Sequence, residues 1–195
     1  MNILRWSPGV PLVSTSLQVA FAKFVSLRFG EETWSKLLHD SSLAASMEPV
    51  SATGRGDALM PLLMATTRIT NEHAAAVVEE LGVFLAGQLI SRYQRRIDPA
   101  WSTLDLIMHA NRALALWFER RNATYEPAMR CARIGERTVR IVYASRRRLC
   151  PLIRGMIRGV AEHRGEAIRF LEGRCMMKGS SFCEILVELP VAAPA

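Results

Sequence analysis

The sequence predicts an α+β fold, a helical amino-terminal half packed on a carboxy-terminal half that carries a small antiparallel sheet. Apolar residues recur at helical spacing up to about residue 122. After Pro127 the pattern changes to alternation, in Met129 and Cys131 and again in Val139, Ile141 and Tyr143, which is the two-residue period of strands. A chain of 195 residues that is 50% hydrophobic can bury a sizeable core as one or two subdomains.

Residues 1–12 contain Pro8, Gly9 and Pro11 and read as an irregular extension, with a single domain over 13–190 and a tail at 191–195. Within the domain the helical part spans about 13–122 and the α+β part about 126–190. The first helix is expected from about Ser14 to Phe29, with Leu17, Phe21, Phe24 and Val25 on one face. Gly30 ends it, and Glu31 and Glu32 open a second helix to about His39, where carboxylates suit the first turn. Ser41 to Asp57 lacks periodicity and reads as a loop, and its Arg55-Gly56-Asp57 tripeptide reads as coincidence. Helices follow at about 58–67, 71–81 and 83–94, with Asn71 as a cap and Gly82 separating the last two. Another is expected from about Pro99 to Arg121. Two strands then meet at Gly135-Glu136, a helix runs over about 149–164, and two strands near 167–176 and 182–189 close the sheet.

Three of the four cysteines fall in this last region, as Cys150, Cys175 and Cys183, with Glu172 just before Cys175. Three thiolates and a carboxylate can build a tetrahedral zinc site. Turn residues Gly179-Ser180-Ser181 set Cys175 and Cys183 across a hairpin from each other. Cys150 precedes Pro151 and so sits at a helix start, which favours a thiolate. The spacing is looser than a paired C-x-x-C motif, so free buried thiols and a Cys175–Cys183 disulfide remain alternatives to zinc. Cys131, on a strand, reads as core.

The formal charge of +7 and the clusters Arg95-Arg96, Arg120-Arg121 and Arg146-Arg147-Arg148 allow an acidic ligand or partner. Aromatic residues are not interleaved with these arginines, which argues against nucleic acid. Trp6 to Ala22 is uncharged but too polar to be a secretory core or to span a bilayer, so no membrane partner is expected and the chain reads as cytoplasmic. No nucleophile elbow, phosphate loop or histidine and carboxylate paired at catalytic spacing is present, so an enzyme is not expected.

Tyr143, Ser145 and Arg147 form Y-x-S-x-R, which resembles the signature of the haem nitric-oxide/oxygen-binding (H-NOX) family and its relatives, the vinyl-4-reductase domains. The run FVSLRFGEETWSKLL, Phe24 to Leu38, is similar to the family's first helices, and the likeness extends from about Val13 to Leu189. The resemblance implies an H-NOX-like fold in which Tyr143, Ser145 and Arg147 face haem propionates. It also implies zinc on Cys150, Cys175 and Cys183, with Glu172 where some bacterial members have a fourth cysteine. It further implies a sensor for a diatomic gas, another small apolar ligand or redox state, speaking to a histidine kinase or a cyclic-nucleotide enzyme. The family's haem iron hangs from a histidine on the helix before Pro127, but ungapped spacing reaches Leu114. His109 is the histidine on that helix, five residues earlier and about 140° around it, and a gap would be needed to make it the ligand.

Overall fold

The computed structural model describes residues 15–39, 59–120, 129–145 and 148–190. The extension at 1–12, the 41–57 loop with its Arg-Gly-Asp tripeptide, Arg147 and the 191–195 tail lie outside them, as do the side chains of Leu114, Leu116 and Trp117. Six α-helices and four strands are present among the described residues, and the class is α+β.

The chain divides into two compact units, residues 1–77 and 78–195. The first holds α1 (Thr15–Phe29), α2 (Glu31–His39), α3 (Leu59–Thr70) and the start of α4 (Ala74–Tyr93). Phe21, Phe24 and Val25 of α1, Leu37 of α2 and Leu62 of α3 are buried. Phe24 meets Phe29 edge to face at 6.0 Å. Gly30 turns the chain between α1 and α2 with φ of 89°, a left-handed conformation that glycine adopts without a Cβ clash.

Two expectations fail here. Asn71 does not cap α4; it takes a left-handed φ of 56° after α3, and the His73 carbonyl accepts the first helical amides, Ala76 at 2.9 Å and Val77 at 3.1 Å. Nor does Gly82 break the chain, because α4 runs through it as one helix of 20 residues. Among the described residues this is the one helix long and apolar enough to cross a membrane, and about 33% of that stretch is buried. Val78, Leu81, Ala86 and Ile90 are buried, and glycines bring α4 against α6 (Cys150–Arg164). A Cβ on Gly82 would come within 2.8 Å of the Met156 nitrogen, and one on Gly159 within 2.7 Å of the Val83 carbonyl oxygen.

In the second unit α5 (Thr103–Arg120) starts from a capping box. The Ser102 hydroxyl donates to Asp105 Oδ2 at 2.6 Å, and that oxygen also accepts the Ser102 amide at 3.0 Å. Strands β1 (Met129–Gly135), β2 (Thr138–Tyr143), β3 (Arg169–Arg174) and β4 (Cys183–Glu188) form one antiparallel sheet in the order β1-β2-β4-β3. Alternation places Val139, Ile141 and Tyr143 with Cys183, Ile185 and Val187 on the buried face, against Leu104 and Ile107 of α5 and Ile157 of α6. Cys131 packs against this core, as expected of it.

Candidate metal centre

The β2–β4 register pairs Tyr143 with Cys183, so the last residue of one strand and the first of the other share an end of the sheet. Cys150 begins α6 with Pro151 in its first turn, and Cys175 follows β3 at the entry to a short 3-10 turn, Met176–Lys178. That turn is fixed by the Cys175 carbonyl, which accepts amides from Lys178 at 3.0 Å and Ser180 at 3.1 Å, and by Gly179 with φ of 91°. The hairpin expected from Gly179-Ser180-Ser181 thus brings Cys175 back to Cys183.

The sulfurs of Cys150, Cys175 and Cys183 lie within 4.8 Å of one another, and all three residues are buried. Cys175 Sγ is 4.0 Å from each of the other two. Zinc–sulfur bonds of about 2.3 Å at tetrahedral angles require sulfurs about 3.8 Å apart, so the cluster fits the ion with little movement. All the cysteines are free thiols, without the disulfide alternative. The Met176 amide donates to Cys183 Sγ at 3.2 Å, an outer contact that would stabilise a thiolate.

Position at a helix start does not make Cys150 a ready thiolate. Burial, followed by the neighbouring thiols, pushes it up to about 12, so desolvation outweighs the helix terminus. Burial likewise raises the Cys183 thiol, although the Met176 amide and Cys150 oppose it. Without a metal these two sulfurs are protonated at neutral pH, and a cation that binds them must displace the protons.

Glu172 lies on β3 beside the cluster but outside the three-sulfur group. Its carboxylate accepts from Lys178 Nζ at 2.9 Å and pairs with Arg154 at 3.6 Å. Burial pushes the carboxyl up, yet Lys178, the Cys175 thiol and Arg154 together hold it below the usual range. Arg154 and Lys178 were not singled out from sequence. The available signal is spacing, four residues after Cys150 on a helix and three after Cys175 in the turn.

Tyr143 is buried, and Ser145 is half-buried with its carbonyl accepting the Arg148 amide at 3.1 Å. His109 is exposed and lies flat on Trp101, with ring centres 3.8 Å apart and planes 12° from parallel. The other three histidines of the chain, His39, His73 and His163, are exposed as well.

The Haem-NO-binding family model matches residues 16–172. Comparison with curated proteins gives no match. Among solved structures the chain is similar to an H-NOX protein from S. oneidensis in the Fe(II)NO ligation state, at 22% identity and TM-score 0.71, covering 90% of this chain and 98% of that one. It is also similar to an Fe(II) unliganded H-NOX protein from K. algicida, at 12% identity and TM-score 0.74, covering 92% and 98%. An H-NOX from Shewanella woodyi, solved bound to IWP-051 in the Fe(II)CO state, aligns at 16% identity and TM-score 0.70, covering 94% and 97%. At these identities the structural likeness is one of fold.

Proposed function

Because this chain belongs to the haem-NO-binding (H-NOX) family, whose fold is that of haem gas and redox sensors, we propose that it is a non-enzymatic sensory domain with a zinc centre. The zinc would sit on Cys150, Cys175 and Cys183 with Glu172 as fourth ligand. The signal would pass to a separate signalling protein such as a histidine kinase or a cyclic-nucleotide enzyme, in the cytoplasm. The observation that carries the zinc reading is the convergence of three buried sulfurs from a helix start, a turn and a strand at spacing close to what the ion needs. Bound there, zinc supplies a cross-link between α6, β3 and β4.

Haem fits the residues in part. Tyr143, Ser145 and Arg147 are the side chains we assign to its propionates, and buried Tyr143 with half-buried Ser145 suits an acidic group. The axial position does not fit. The spacing that places the family's iron ligand reaches Leu114, which offers no donor atom, and His109 lies flat on Trp101.

The stacking of His109 on Trp101 favours a second reading, a haem-free zinc-stabilised interaction module or one that binds another small apolar ligand. Under either reading the thiol centre gives a redox response. Hydrogen peroxide would take two electrons from the Cys175 and Cys183 thiolates and two protons from solvent, leaving as two waters while an S–S bond forms and zinc departs.

The test is zinc release from purified protein, followed with a chromophoric indicator during peroxide addition and again after a reductant. Release that reverses on reduction is expected, with the same release from Cys131→Ser, whose thiol lies outside the cluster. Retention of zinc through complete thiol oxidation would refute the thiol response.

A further inference from the structure

Resting on the zinc reading, we propose that Arg154 and Lys178 are positioning residues of the metal centre, holding the Glu172 carboxylate beside the three sulfurs and offsetting the charge of the loaded site. Three thiolates and one carboxylate exceed the charge of a zinc ion by two negative units. Such an excess is costly where the sulfurs are buried unless cations stand next to it. Two do, and both contact Glu172: Lys178 Nζ at 2.9 Å and Arg154 at 3.6 Å.

Each cation is placed by the element that supplies a thiol. Arg154 stands one helical turn after Cys150 on α6, on the same face. Lys178 ends the turn that Cys175 begins. Arg154 is held in place before any metal arrives. Its guanidinium lies 4.9 Å from the centre of the Phe170 ring and 3.9 Å from Glu79 of α4, and Phe170 shares a strand face with Glu172. The next basic residue on that helix face, Arg158, pairs instead with Glu79 at 2.6 Å and Glu162 at 3.9 Å.

Zinc affinity of the full chain, measured by competition with a chromophoric chelator, tests the assignment together with the absorption spectrum of the cobalt-loaded protein. Arg154→Met and Lys178→Met are each expected to weaken zinc by about 10–100-fold and to alter the cobalt bands, the scale of losing an outer partner of a metal ligand. Placed on Glu172→Gln, where no carboxylate is left to hold and the excess falls to one negative unit, the same substitutions should cause a clearly smaller loss, and Arg158→Met alone should leave affinity unchanged. Lys178 is largely exposed, so its variant keeps the test valid if Arg154→Met fails to fold. Unchanged affinity in both variants, or an equal loss in the Glu172→Gln background, would overturn the positioning role. A wild-type chain that takes up neither zinc nor cobalt would overturn the zinc reading itself, a distinct result.

Discussion

Gly155 of α6 lies so close to Glu79 of α4 that a Cβ at Gly155 would overlap the Glu79 carbonyl oxygen. Backbone meets backbone there, so neither side can yield by turning a side chain. Gly155→Ala should cost about 2–3 kcal/mol, the scale of overpacking a tight core, although alanine is the better helix former. Gly87→Ala, on the same α4 but with nothing within 4 Å, should stabilise by about 0.5–1 kcal/mol. Urea midpoints of the two variants check both signs.

Cys183→Ser removes a sulfur that is fully buried and receives the Met176 amide. Zinc content should fall far below that of wild type, and the variant should melt lower. Chelator treatment of wild-type protein should lower the melting temperature in the same direction, because the ion binds the folded arrangement and not the open chain. Metal analysis and thermal scans of matched samples decide this.

Asp105 links pH to the stability of α5. The Ser102 hydroxyl is the main cause that holds its carboxyl below the usual range, against burial and with help from the Ser102 amide, Arg133 and His109. A lowered folded pKa means that the stabilisation is complete above the unfolded value near about 3.9 and is lost as pH falls through the folded value. Asp105→Asn should therefore cost up to about 1 kcal/mol at pH 7, the scale of a helix cap, and the difference from wild type should shrink at acid pH, as the carboxyl takes up its proton. Denaturant titrations at the two pH values measure it.

Trp101 and His109 form a surface pair, so His109→Ala should change local packing and leave the site at the end of the sheet intact. Zinc content and any binding of haem should match wild type. A loss of haem absorbance in this variant would restore His109 as an iron ligand.

Much of the fold was legible because periodicity switches cleanly at Pro127 and because Gly30, Gly135 and Pro151 stand where elements meet. The three-cysteine site was legible from turn chemistry around Gly179 and from Pro151 beside Cys150. Gly82 misled because a glycine inside a helix and a glycine between helices look alike until the partner helix is known. Asn71 misled for a related reason: its left-handed conformation serves the end of α3 and not the start of α4. The protonated state of Cys150 was hidden because burial, which outweighs the helix start, is a property of packing. Arg154 and Lys178 were hidden because the strand that carries Glu172 meets them only in three dimensions.

The most direct test of the account is one sample, expressed with added haem precursor, taken for zinc analysis and a visible absorption spectrum. About one zinc per chain is expected, as a single tetrahedral site requires, and no spectrum of a histidine-ligated haem. A Soret band that responds to nitric oxide and disappears in His109→Ala, or a chain with no zinc, would contradict it.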